Sequence, residues 1–234
     1  MTARIGMLTP SSNTVLEPAT AALVAPLGDR VSVHYSRFRV TRISDEAESH
    51  QQFALEPMLH AARLLADARV GVITWNGTSG AWAGLDHDRA LIESIEQQTG
   101  IPATTATLTL VETMRAAGIR RYALVVPYED EITRRIRQVL STEGFECTGA
   151  SNERITDNFA FSEVSSDHIA NRARAVAEGA QAVVIHCTNL RGAEVAGRLA
   201  GELGVPVLDS VVVALHGALR VVGIDTRLSG MPAA

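Results

Sequence analysis

The chain has 234 residues, 46% of them hydrophobic and 20% charged, with a net charge of -5. That composition suits a globular protein with a full core, and its mild acidity excludes a nucleic-acid surface, which needs clustered Lys and Arg. No apolar run approaches the roughly 20 residues of a bilayer span, and the start lacks a charged-then-apolar leader. No membrane partner is therefore expected, and the cytoplasm is the expected location.

From Met1 onward, short β-branched runs alternate with amphipathic stretches. Strands are predicted at Ile5–Thr9, Val31–Tyr35 and Val70–Trp75, then at Tyr122–Val126, Ala182–His186 and Val205–Leu208. Helical periodicity covers Glu56–Ala68 and Glu129–Thr142, the second stopped by Gly144. Continuous apolar strands between amphipathic helices predict parallel sheets covered on both faces.

The chain also repeats itself. IGMLTPSSN matches YALVVPYED, VGVITWNGTSG matches QAVVIHCTNLRG, and GIPATTATLTLVETMRAAGI matches GVPVLDSVVVALHGALRVVGI, all in the same order. The expected fold is therefore α/β, with two similar lobes, each a parallel sheet flanked by helices, related by a pseudo-two-fold axis with the active site between them. Residues 1–116 with 212–234 would form the N-terminal lobe, the last helix packing back onto it, and 117–211 the other.

Ligands of open α/β sheets lie beyond the carboxyl ends of the strands. Here those ends carry Pro10-Ser11-Ser12-Asn13-Thr14, Asn76-Gly77-Thr78-Ser79, Pro127-Tyr128 and Cys187-Thr188-Asn189. Facing lobes would bring these hydroxyls, amides and one thiol into a single cleft suited to a small carboxylate or dicarboxylate. Cys147 stands at the start of a strand and is excluded from it. The two cysteines have no metal-ligand spacing and read as free thiols; no metal and no cofactor are expected.

Several of these residues have ordinary alternatives. A free cysteine is often a small buried hydrophobe. Thr78, Ser79 and Asn13 could cap the helices that follow them, and Ile155-Thr156-Asp157-Asn158 could be a plain turn. Asp86-His87-Asp88 reads as a charged helix start, because consecutive helical residues do not converge. Trp75 fits either core or cleft wall.

PSSNT at 10–14, SRFRV at 36–40, GTSG at 77–80, PYED at 127–130, the Asp-Asn at 157–158 and Cys187 together resemble the aspartate/glutamate racemase superfamily, in the branch of maleate cis-trans isomerase and arylmalonate decarboxylase. The resemblance covers nearly the whole chain. It implies two cysteines at pseudo-symmetric strand ends, yet here the first position is Gly77 and only the second, Cys187, is a thiol. It further implies substrate contacts from Ser11, Asn13, Thr78, Ser79, Tyr128, Asn158, Thr188 and Asn189. The expected activity is cofactor-independent decarboxylation of an arylmalonate-type acid, with Cys187 giving one proton to one face. Maleate-type isomerisation and racemisation are the enzymatic alternatives, and a non-catalytic carboxylate-binding protein is an alternative of another class. The sequence leaves monomer and homodimer equally open.

Overall fold

Ala3–Pro10 (β1) is buried from Ile5 onward, and pairs in parallel with Val31–Phe38 (β2) on one side and Val72–Trp75 (β3) on the other. Ala103–Thr105 (β4) adds a short edge to β3, giving the order β2-β1-β3-β4. The second half repeats this with Arg121–Val126 (β5), Glu146–Asn152 (β6), Ala182–Ile185 (β7) and Val207–Asp209 (β8), in the order β6-β5-β7-β8. All pairings within both sheets are parallel. The computed structural model describes residues 2–232, the side chains of Glu48 and His50 excepted.

Ten α-helices among the described residues cover the sheets: Leu16–Val24 (α1), Ala47–Gln51 (α2), Leu55–Asp67 (α3), Gly80–Ala83 (α4), Leu85–Thr99 (α5), Ala106–Ala116 (α6), Asp130–Thr142 (α7), Ser166–Val176 (α8), Ala196–Leu203 (α9) and Ser210–Val221 (α10). The period of α3 buries Met58, Leu59, Ala61, Ala62 and Leu65 in one stripe, each full-sized side chain contributing about 1.5–3 kcal/mol. α7 ends where the sequence predicts, with Gly144 at φ +87° just past it, a conformation that other residues adopt at a cost. α10 contacts α6, α1, β3 and β4 as well as β8. Within the described residues no helix is long and apolar enough to cross a membrane.

The predicted strands all form, each within a few residues of its expected bounds. β7 stops one residue short of His186, so His186 and Cys187 both lie beyond the sheet. The Asp-His-Asp run does open α5, but only in part as expected: Asp86 is almost fully exposed whereas Asp88 is fully buried, accepting a hydrogen bond from Thr105 Oγ1 at 2.5 Å. Thr105 caps α6, so this turn ties α5 to the start of the next helix.

Candidate active site

The strand-end loops meet between the lobes, and bonds cross that boundary in both directions. Thr78 and Thr188 are equivalent in the repeat, and each reaches into the opposite lobe. Thr78 Oγ1 shares a hydrogen bond with Tyr128 OH at 2.8 Å. Thr188 Oγ1 accepts from Asn13 Nδ2 at 3.2 Å and donates to the Asn76 carbonyl at 2.8 Å. Cys187 lies within this group, 3% exposed, with the Asn189 N–H directed at its sulfur at 3.4 Å.

The hydroxyls of Thr78 and Ser79 do not cap α4, whose N-cap has no side-chain hydrogen bond. Both are buried instead, Thr78 against Tyr128 and Ser79 against the Trp75 indole. Asn13 takes the other course. Its Oδ1 accepts from the Val15 and Leu16 N–H groups at 3.0 and 2.9 Å, which caps α1. Asn189 holds the segment that leads into the same helix from the other lobe, its Oδ1 accepting from Thr14 N at 3.0 Å. The Asn189 N–H faces the thiol, and Asn189 Nδ2 holds the Asn158 carbonyl at 2.5 Å. Asn158 in turn donates to Ser12 Oγ at 2.7 Å. Ser11 and Ser12 both donate to the Val40 carbonyl. The ten residues singled out from the sequence thus come together in one region, but only Thr78, Tyr128 and Cys187 direct side chains at one another without serving mainly as caps or struts, while the Ser79 hydroxyl meets the Trp75 indole.

Two loops join the lobes beside this region. The Ile43 N–H donates to Thr156 O at 2.8 Å, the Asn158 N–H donates to Thr41 O at 3.0 Å, and Arg42 and Asp157 form an antiparallel bridge between the lobes. The enclosed groups feel the lost water. Burial pushes the Cys187 thiol up to about 11, although the Tyr128 hydroxyl and the N–H groups of Asn189 and Leu190 pull the other way. Burial also holds the Tyr128 phenol well above its usual range. Both groups are neutral donors at physiological pH. His186 is pushed down to about 4 by burial, opposed by the Thr78 backbone, and so is neutral; its Nδ1 lies 3.4 Å from Ser210 Oγ. It makes no contact with the thiol that shifts either group.

The sequence does not reveal what fills the first cysteine position. A Cβ on Gly77 would collide with Cζ2, Cε2 and Cη2 of the Trp75 indole, far inside any contact a real Cβ makes. Trp75 itself is fully buried, its ring 5.2 Å from that of Phe38 and 6.5 Å from that of Phe53. A second residue missing from the sequence reading is Asp209. Its carboxyl is fully buried and pushed up to about 7 by that burial, while its Oδ1 accepts from Val211 and Val212 to cap α10. No group of three or more His, Cys, Asp or Glu that could hold a metal ion occurs among the described residues. Surface clefts beside Cys147 and along Arg227–Pro232 share no residue with the cleft between the lobes.

Residues 6–233 match the arylmalonate decarboxylase family profile. The chain belongs to that family. Its relatives place it in the branch of the aspartate/glutamate racemase superfamily that holds maleate isomerases and arylmalonate decarboxylases. A maleate isomerase of Alcaligenes faecalis is 24% identical over 97% of this chain and 94% of its own length. The arylmalonate decarboxylase of Bordetella bronchiseptica is 28% identical over 72% of each chain. Among solved structures, a Nocardia farcinica maleate cis-trans isomerase carrying a covalently bound succinylcysteine intermediate superposes with a TM-score of 0.88 at 24% identity, over 99% of this chain and 97% of that one. An arylmalonate decarboxylase gives 0.81 at 24% identity, over 98% and 97%. This family member is thus an enzyme of the superfamily, in the two-lobed α/β fold.

Proposed function

We propose that this enzyme decarboxylates a disubstituted malonate-type acid through an enediolate that Cys187 protonates on one face. The observation that carries the reading is the filled position at 77: Trp75 occupies the volume in which a first thiol would stand. Chemistry from both faces, which a racemase or a two-thiol isomerase needs, then lacks one of its groups. The thiol that remains is held protonated by burial. That makes it a proton donor rather than a nucleophile, which must be a thiolate.

In this reading Thr78, Ser79 and Tyr128, with the backbone N–H groups of Ser79 and Thr188, surround the carboxylate that stays. The bond from the α-carbon to the other carboxylate breaks, CO2 leaves, and the electron pair moves into the retained carboxylate to form an enediolate. Its negative charge grows as the reaction proceeds, so donors fixed around it favour the transition state over the ground state, each worth about 2.7–4 kcal/mol. Loss of water from the departing carboxylate raises its energy further. The S–H bond of Cys187 then breaks toward the α-carbon, and the thiolate regains its proton from solvent. Proton delivery from one side gives a single enantiomer.

A second reading has its own support. Ser12, Asn13 and Asn158 are a connected polar group beside Thr188, better suited to hold a second carboxylate than to expel one, as maleate-type isomerisation would need. Incubation with phenylmalonate and with maleate in D2O, followed by NMR, separates the two. Decarboxylation releases CO2 and leaves one deuterium on the α-carbon; isomerisation converts maleate to fumarate. Cys187→Ala is expected to abolish turnover while leaving binding intact, and full activity in that variant would falsify the assignment.

A further inference from the structure

Trp75 does more than fill space. Its Nε1–H donates to Ser79 Oγ at 3.3 Å. An indole N–H can only donate, whereas a hydroxyl both donates and accepts. With its oxygen engaged by the indole, and with no helix-capping duty to perform, Ser79 is left with its own O–H to direct elsewhere. Phe38 and Phe53 hold the ring from behind, and Gly77 leaves it the room that a side chain would take.

We infer that Trp75 is a positioning residue: its N–H commits the Ser79 hydroxyl to donating toward the bound carboxylate, while its ring walls the cleft at Gly77, the pseudo-symmetric counterpart of Cys187. This rests on Ser79 being a carboxylate ligand, as proposed above. A purely structural tryptophan would act through the core alone, and its replacement would cost the same whether or not Ser79 carries a hydroxyl.

The experiment removes the N–H without removing the ring. The chain has two tryptophans, so β-(3-benzothienyl)alanine, which carries sulfur in place of N–H, is incorporated in a Trp82→Phe background and therefore at position 75 alone. Trp75→Phe in the otherwise natural chain removes the N–H together with part of the ring, and its coupling to Ser79 is read in the same way against Ser79→Ala. Phenylmalonate affinity by calorimetry and kcat/KM are measured with Ser79 present and with Ser79→Ala. The expected result is a loss of about tenfold with Ser79 present and less than about twofold in Ser79→Ala. Equal losses in both backgrounds, or none with Ser79 present, overturn the inference even if turnover persists. Coupling seen in binding without any decarboxylation supports the positioning role and removes only the proposed reaction. Failure of both phenylmalonate and maleate to bind the natural protein overturns both.

Discussion

Tyr128→Phe tests the anion cage most directly, because it removes one oxygen and leaves the ring. The ring packs edge-on against Phe161 at 5.5 Å, and that contact survives. What goes is the 2.8 Å bond to Thr78, which leaves a buried hydroxyl without its partner, together with the hydroxyl's contact with the Cys187 thiol. The structural cost is about 1–3 kcal/mol, or a fall in Tm of roughly 2–12 °C. The catalytic cost follows from where charge develops. If Tyr128 donates to the growing enediolate, kcat falls about 100- to 1000-fold while KM changes only a few-fold. Decarboxylation of phenylmalonate is followed by pH-stat, and unfolding by circular dichroism. A kcat within threefold of the natural enzyme, or a loss confined to KM, refutes the assignment of Tyr128 to the transition state.

Gly77→Ala puts a methyl group into the Trp75 ring, and overpacking should destabilise by about 1–3 kcal/mol or more; an unchanged denaturant midpoint would show that the indole yields freely. For the proton donor, kcat should stay level from neutral pH and decline only toward pH 11, as Cys187 loses its proton; a midpoint near that of a free thiol, about 8.5, would argue against enclosure. Asp209 is expected to make stability pH-dependent. Its folded value of about 7 lies above the unfolded 3.8, so the unfolded chain ionises first and stability falls as pH rises from about 4 to about 7, by at most about 4 kcal/mol. Asp209→Asn keeps an oxygen to cap α10 and should flatten that slope, as urea midpoints at pH 5 and pH 8 would reveal; an identical slope in the variant would count against it.

What could be read from the sequence was whatever local pattern controls. The apolar strands, the helix stop at Gly144 and the repeat are properties of neighbouring residues or of aligned segments, and together they place the strand-end loops in one cleft. What could not be read depends on side-chain direction across the fold. Asn13 holds the first N–H of α1 while Asn189, 175 positions from Thr14 in sequence, holds the segment leading into it from the opposite lobe. Asp88 sits in a run that looks like solvated surface, yet it turns inward because its position on α5 faces the cap of α6. Gly77 could be seen as a missing cysteine, but not as occupied space. That required knowing that the last residue of β3 folds its indole back over its second neighbour.

The bridge between Arg42 and Asp157 brings time into the picture. Cys187 is buried, and Asn158 of one bridging loop is bonded to Asn189, two residues from the thiol. The amides of Ile43 and Asn158, bonded across the two lobes, are therefore built-in clocks: each exchanges its hydrogen when the loops separate. Where substrate enters by that separation, its frequency sets a ceiling on turnover that improved chemistry at the thiol cannot lift. A faster enzyme would then be sought in the loops around Arg42 and Asp157 rather than at the thiol.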